Sequence, residues 1–157
     1  MGLRGGGRLP DVIGLIARLT LGGVLILAGA LKVTSPTVSA RAVRAFQILP
    51  YDFAGYVGYA LPVVEILVGL LLVAGLFTRT SAVVGGLLML AFVIGIISAW
   101  ARGLTIDCGC FGGGGTIGAP QTHYLTDVLR DAGLFACAAW LVVRRRTAYS
   151  LDHRLFG

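Results

Sequence analysis

An all-α integral membrane bundle of four helices is the fold class this sequence predicts, and three observations predict it. Hydrophobic residues make up 57% of the chain and charged residues only 13%. The mean hydropathy is +0.89. Four apolar runs, at about 12–33, 57–77, 81–101 and 123–143, are each close to the roughly 20 helical residues that cross a hydrocarbon core of about 30 Å. A length of 157 residues suits one domain. A segment in lipid must satisfy its own backbone polar groups, which favours helices, and the ten-residue alternation of a membrane barrel is missing.

Residues 1–11 read as a short tail bearing Arg4 and Arg8. With Ala28-Gly29-Ala30 further on, they raise the question of a cleavable signal peptide. The run of 12–33 is too long for such a peptide and carries Arg18 inside it, so a retained helix is expected. Gly6 stands where a myristoylation signal wants Ser or Thr.

Ser35-Pro36 then reads as a helix cap followed by proline in the first turn. Val38, Ala42, Ala45, Phe46 and Leu49 recur at helical spacing, with Arg41 and Arg44 on another face, until Pro50 ends the pattern. This predicts a short amphipathic helix lying in the outer interface between the first and second crossings. Tyr51, Phe53, Tyr56 and Tyr59 support that depth, because aromatic rings gather at the headgroups.

The second run contains Glu65, and a carboxylate within a membrane segment is a functional candidate by default. Its structural alternative is a buried partner for Arg18, although the two positions differ in depth by a turn or more and their side chains lean in opposite directions. The third run is uniformly apolar, with Gly85, Gly86 and Gly95 suited to close helix packing. In the fourth, His123, Asp127, Arg130 and Asp131 follow an i, i+4, i+7, i+8 pattern and share one face. That face is either a wet helix entrance with Asp127 and Arg130 paired, or a charge-stabilising, proton-handling floor beneath the preceding loop. Residues 144–157 form a basic tail.

Four crossings place both termini on one side. Arg4, Arg8, Arg79, Arg144, Arg145, Arg146 and Arg154 fall on that side, against Lys32, Arg41, Arg44 and Arg102 on the other. The positive-inside rule then puts the termini in the cytoplasm of a bacterial inner-membrane protein and the loop before the fourth helix outside. The net charge of +6 thus reports topology and attraction to anionic lipid, and nucleic acid is not an expected partner.

That outer loop reads TIDCGCFGGGG, with Cys108 and Cys110 one residue apart. A thiolate attacks disulfides and binds metals, and its pKa falls beside positive charge or a helix N-terminus. Arg102, Arg130 and the start of the fourth helix favour that fall, and Asp107 opposes it. A disulfide between the two would close a very small ring, which suits a reversible electron carrier better than a staple. Gly109 and Gly112 to Gly115 would keep the sulfurs approachable. Redox exchange is the leading reading. A static disulfide in an oxidising compartment and a metal site of Cys108, Cys110 and His123, with Asp107 as a fourth ligand, are the alternatives. Cys137 lies roughly 20 Å along the fourth helix from its outer end at 1.5 Å per residue and reads as a packing residue.

Arg18 with GGVLILAGALK, then PVVEILVGLLLVAGLFTR, and DCGCFG before the fourth helix together resemble the DoxX-like membrane proteins, and within them the MauE branch named for methylamine utilisation. The resemblance covers most of residues 12–143. It implies a four-helix membrane bundle linked to thiol redox chemistry or to the maturation of disulfide-containing exported proteins, with a thioredoxin-like partner. It marks Arg18, Lys32, Glu65 and Arg79 as signature residues and Cys108 with Cys110 as the redox pair. No thioredoxin domain is present in this sequence, so the partner would be a separate chain.

The function expected is therefore a membrane thiol–disulfide relay, an oxidoreductase in which Cys108 and Cys110 exchange electrons with an exported thioredoxin-like or disulfide-containing protein. Arg18, Glu65, Arg130 and Asp131 would stabilise charge or move protons. No cofactor is required for the exchange; a quinone in the bundle is the candidate onward acceptor. The alternative class is a non-catalytic accessory or assembly subunit of a larger membrane complex, with the cysteines as a clip. Nucleotide loops, serine nucleophile motifs and paired metalloprotease histidines are not found. A transporter is disfavoured because the four runs show no internal repeat, unless the chain oligomerises.

Overall fold

The computed structural model describes residues 8–110, 115–116, 123–144 and 151–155, and nearly all of them are helical. The order is α1 (Arg8–Val33), α2 (Pro36–Ala45), α3 (Tyr51–Ala74), α4 (Thr78–Ala101), β1 (Ile106–Asp107), β2 (Gly115–Thr116), α5 (Tyr124–Val143) and α6 (Leu151–Leu155). Helix α1 packs on α3 and α5, and α4 packs on α5 and α3. At 1.5 Å per residue, the 26 residues of α1 reach about 39 Å, more than a hydrocarbon core of roughly 30 Å.

Helices α1, α3 and α4 are long and apolar enough to cross a membrane. The expectation of a fourth crossing rests on α5, whose 20 residues include Asp127, Arg130 and Asp131. Those three charges within 20 residues set α5 apart from the other three. Outward-facing Leu27, Leu67, Leu87 and Ile94 are exposed in the isolated chain, whereas Leu21, Leu25, Leu72 and Leu141 form its interior. Apolar residues on both faces are what a helix between protein and lipid requires.

Close approach of α1 and α3 depends on small residues. A Cβ at Gly69 would stand 2.7 Å from the Gly22 carbonyl oxygen, and one at Gly22 would stand 2.9 Å from that of Gly69. Backbone meets backbone here, so neither helix can yield by rotating a side chain.

Helix α2 lies against α3 with Ser39, Ala40 and Ala42 buried. Of the apolar stripe read from the spacing, Ala42 is buried and Ala45 and Phe46 pack against the cluster of Ile96 and Ile106, while Leu49 is exposed beyond the helix end. The Ser39 hydroxyl donates to the Gly58 carbonyl at 2.7 Å, and a Cβ on Gly58 would sit 2.4 Å from the Ala40 Cα. Small size and one buried hydrogen bond thus decide the contact with α3. Tyr51, Phe53, Tyr56 and Tyr59 all point outward from the first turns of α3.

At the opposite end, α3 stops at Gly75, whose φ of 74° gives a left-handed cap with its N–H directed to the Leu71 and Leu72 carbonyls. Asp152 of α6 then accepts from the Phe77 N–H at 2.7 Å and the Thr78 N–H at 2.8 Å, supplying the cap for α4 from 74 residues away. Burial alone would raise the Asp152 carboxyl, but those N–H donors, with the charge of Arg18, hold it below its ordinary value. Replacing Asp152 by alanine is expected to lower stability by about 1 kcal/mol, the usual worth of a helix cap. Thermal unfolding in lipid nanodiscs measures it, and an unchanged midpoint refutes the assignment.

Candidate functional site

The loop after α4 is anchored on both sides. The Arg102 guanidinium turns back to the Ser98 carbonyl (3.2 Å), the Gln47 carbonyl (3.4 Å) and the Phe46 carbonyl. It therefore satisfies the C-terminal end of α2, although its place in the sequence puts it near the cysteines. The Tyr124 hydroxyl accepts from the Ile106 N–H at 2.9 Å and donates to the Leu104 carbonyl, which fastens the loop to the first turn of α5. Ile106 and Tyr124 are buried with Ile96 and Ala99, and Cys108 packs against that cluster.

Strands β1 and β2 pair antiparallel, Ile106 with Thr116 and Asp107 with Gly115. The two cysteines leave this short ladder directly. Gly109 between them has a φ of 69°, open to glycine and strained for other residues, and its N–H donates to Asp107 Oδ1 at 3.1 Å. This turn brings the Cys108 and Cys110 sulfurs to 2.7 Å. The glycine run at 112–114 lies outside the described residues, as do Arg4, Arg145 and Arg146 of the topology argument.

The two thiols are unlike. Cys108 is half-buried and Cys110 buried. A hydrogen bond from the Cys110 thiol favours the Cys108 thiolate, burial works against it, and the Cys110 N–H and Arg130 Nη2, 3.4 and 3.9 Å from the Cys108 sulfur, assist; together they place the Cys108 pKa below that of an ordinary thiol. The same hydrogen bond and burial, with the charges of Cys108 and Asp131, push Cys110 well above its ordinary value. Cys108 is thus suited to attack and Cys110 to hold its proton until later.

A measurable ordering follows. Cys110→Ala removes the leading stabiliser of the Cys108 thiolate, whereas Arg130→Gln removes a lesser one. Alkylation of Cys108 at neutral pH is expected to slow severalfold in the first variant and less in the second. Both differences should vanish at pH above the ordinary thiol range of about 8.5, where thiolate forms without help. The reverse ranking by mass-detected alkylation rates would contradict it.

Beneath the sulfurs, Arg130 binds Asp127 at 3.1 Å and Asp131 at 2.9 Å, so the pairing read from the sequence is joined by a second, buried one. His123 does not share that floor; it caps α5, is exposed, and borders an outer cavity of about 300 Å³ with Trp100 and Tyr124. Among the described residues no three His, Cys, Asp or Glu side chains converge as metal ligands, so Cys108, Cys110 and His123 do not form a ligand set. Cys137 packs beside the main core.

Glu65 has no exposure, and its partner is Lys32, whose Nζ lies 2.7 Å from Oε1. Arg18, also buried, feels the charge of Asp152 at the far end of the molecule. The proposed Arg18–Glu65 contact is therefore replaced by two separate arrangements. Lys32 sits near the end of α1 that meets this part of α3, while Arg18 is about four turns away along the same helix. The Lys32 ammonium also lies 5.2 Å from the Phe92 ring centre on α4.

Glu65 and Asp131 face one small cavity of about 10 Å³, bordered also by Cys110, Arg130, Phe92 and Met89. Cys110, Arg130, Asp131 and Glu65 thus border one cavity, with Cys108 above it and Lys32 bound to Glu65. Over residues 10–144, which include all of these residues, the sequence matches the family described as methylamine utilisation protein MauE. The chain belongs to the MauE family. Membership in MauE suggests a membrane accessory protein of a methylamine utilisation system, and with the three long apolar helices it suggests a multi-pass membrane protein. No curated protein and no solved structure matches this MauE chain.

Proposed function

We propose that this protein is a membrane thiol–disulfide relay whose Cys108–Cys110 pair exchanges with an exported thioredoxin-like or disulfide-containing protein. The observation that carries the reading is the pairing of two adjacent sulfurs of opposite character: a half-buried thiol biased toward thiolate and a buried one biased against it. In this reading α5 crosses the membrane as the fourth helix of the bundle, α2 lies at the outer interface, both termini are cytoplasmic, and the cysteine loop faces outward. The bacterial inner membrane is the compartment that fits.

The chemistry is balanced without a cofactor. Cys108 thiolate attacks a partner disulfide, forming a mixed disulfide and releasing one partner thiolate. Cys110 loses its proton and attacks the Cys108 sulfur, forming the Cys108–Cys110 disulfide and releasing the second partner thiolate. Two electrons have passed to the partner, and two protons convert its thiolates to thiols. The direction reverses when the partner arrives as a dithiol and is the stronger reductant. A quinone would act only in a separate step, as acceptor of the two electrons of the open dithiol pair.

Cys110→Ser tests the order of events. Serine keeps a hydrogen-bond donor beside Cys108 but cannot resolve the intermediate, so mixed disulfides on Cys108 should accumulate. Cys108→Ser should trap far less. Equal trapping on both, or none on either with the pair locked oxidised under mild reductant, counts against the relay.

Family membership favours a second reading, an accessory subunit that holds a larger assembly together. Co-purification at fixed stoichiometry, with partner activity intact in a Cys108→Ser, Cys110→Ser double variant, would select that reading over exchange.

A further inference from the structure

The thiol chemistry proposed above leaves one buried proton to account for. Cys110 is 6% exposed, so when it attacks Cys108 its proton must leave through a covered environment. The cavity beside it has room for about one water molecule: it measures about 10 Å³, and a single water occupies roughly 10–15 Å³ on that scale. Cys110, Arg130, Asp131 and Glu65 border it together with six apolar residues of α1, α4 and α5, and most of its free surface is apolar.

Two carboxylate oxygens at this place accept no hydrogen bond among the described residues, Glu65 Oε2 and Asp131 Oδ2. Their residues are 0% and 2% exposed. Each carboxylate spends its other oxygen on a cation, Lys32 at 2.7 Å for Glu65 and Arg130 at 2.9 Å for Asp131. A buried acceptor without a donor is costly. A water between two such oxygens would satisfy both, since it carries two donors. It would also leave a lone pair toward a third group.

The charges around the site are few. Lys32 comes from α1, Glu65 from α3, Asp127, Arg130 and Asp131 from α5, and Asp107 with the two cysteines from the loop; α4 contributes only Met89 and Phe92. With every carboxylate ionised, two cations face four anions. An added proton offsets part of that excess of negative charge, at the moment when Cys110 has one proton to give.

We propose that Glu65 and Asp131, bridged by one water in this cavity, form an internal proton acceptor for the Cys110 thiol. The inference rests on the exchange reading above. As the Cys108–Cys110 bond forms, the Cys110 proton passes to the bridged carboxyl pair and is held there as a carboxylic acid. The partner's leaving thiolates take their protons from outer water, and reduction of the pair returns the held proton to Cys110. Lys32 is a positioning residue in this scheme: it fixes Glu65 Oε1 and leaves Oε2 for the proton.

Oxidised-minus-reduced infrared difference spectra of the full chain in lipid nanodiscs test this, with thiol state followed in parallel by mass. The pair is cycled with a small dithiol and a small aromatic disulfide. The oxidised form is expected to gain a carboxylic-acid carbonyl band, shifted in heavy water, as the S–H band is lost. Glu65→Gln, which keeps an acceptor for Lys32, and Asp131→Asn, which keeps shape, should each abolish or displace that band. Asp127→Asn should leave it in place. Ring closure should slow roughly 100-fold in the first two variants, the lower end of what a positioned base contributes. Thiols that cycle with no carbonyl band, or a band that survives both substitutions, overturn the acceptor and leave the relay standing. Thiols that neither reagent converts overturn both.

Discussion

Lys32→Met is expected to destabilise the folded protein by about 3–5 kcal/mol, the range for removing one partner of a buried ion pair. Lys32 and Glu65 side chains are 3% and 1% exposed and their charged atoms are 2.7 Å apart. Without the ammonium, Glu65 must either remain charged in an apolar interior or take up a proton, and both states forfeit the present hydrogen bond. The contact with the Phe92 ring is lost as well. Unfolding in mixed micelles measures the change. Lys32→Met combined with Glu65→Leu should regain most of the loss, because a well-packed apolar pair removes the unmatched charge together with its partner. A single variant as stable as the natural protein would show that the pair is no structural tie.

The double variant also separates stability from chemistry. It should fold, retain the Cys108–Cys110 turn and lose fast ring closure. That outcome distinguishes a carboxylate kept for proton transfer from one kept to hold helices together.

Gly69→Val is the second large effect, with an expected cost of about 3 kcal/mol, the upper part of the range for overfilled packing. The first added atom would lie 2.7 Å from the Gly22 carbonyl oxygen and 3.0 Å from the Ile26 N. Both obstacles are main-chain atoms of α1. Relief requires α1 and α3 to separate, which disturbs the helices that carry Lys32 and Glu65. Gly23, where an added Cβ meets nothing within 4 Å, supplies the control: Gly23→Ala should be neutral or slightly stabilising, since alanine is the better helix former. Comparable losses at both positions would rule out the close main-chain approach at Gly69 as the cause.

Much of the helical architecture was legible because apolar composition and length are one-dimensional properties. α1, α3 and α4 announce themselves as runs, and the proximity of Cys108 to Cys110 follows from one intervening glycine. The Asp127–Arg130 pair was readable for the same reason, since an i, i+3 spacing brings neighbours together on any helix. Arg18 and Glu65 show where that logic ends. Both are charges within apolar runs, and pairing them is the simplest assumption, but the antiparallel packing of α1 on α3 sets depth by the end of each helix, which brings Lys32 to Glu65. Arg102 likewise lies six residues before Cys108 in the chain and turns the other way, to the end of α2. Tyr124 and Asp152 were missed because each serves a backbone group 18 or 74 residues away, and no local pattern records such a debt.

The sequence by itself determined that this chain is helical, that its long helices are made for a lipid environment, and that two thiols stand side by side in a loop. Those conclusions depend on composition, periodicity and near neighbours, which survive without knowledge of the fold. Only the tertiary structure decided which charges meet, which thiol is covered, and that two carboxylates and an arginine border one cavity beside Cys110. The reason is that ion pairing and burial depend on distance in three dimensions, and helix packing brings residues 33 and more positions apart to within hydrogen-bond reach.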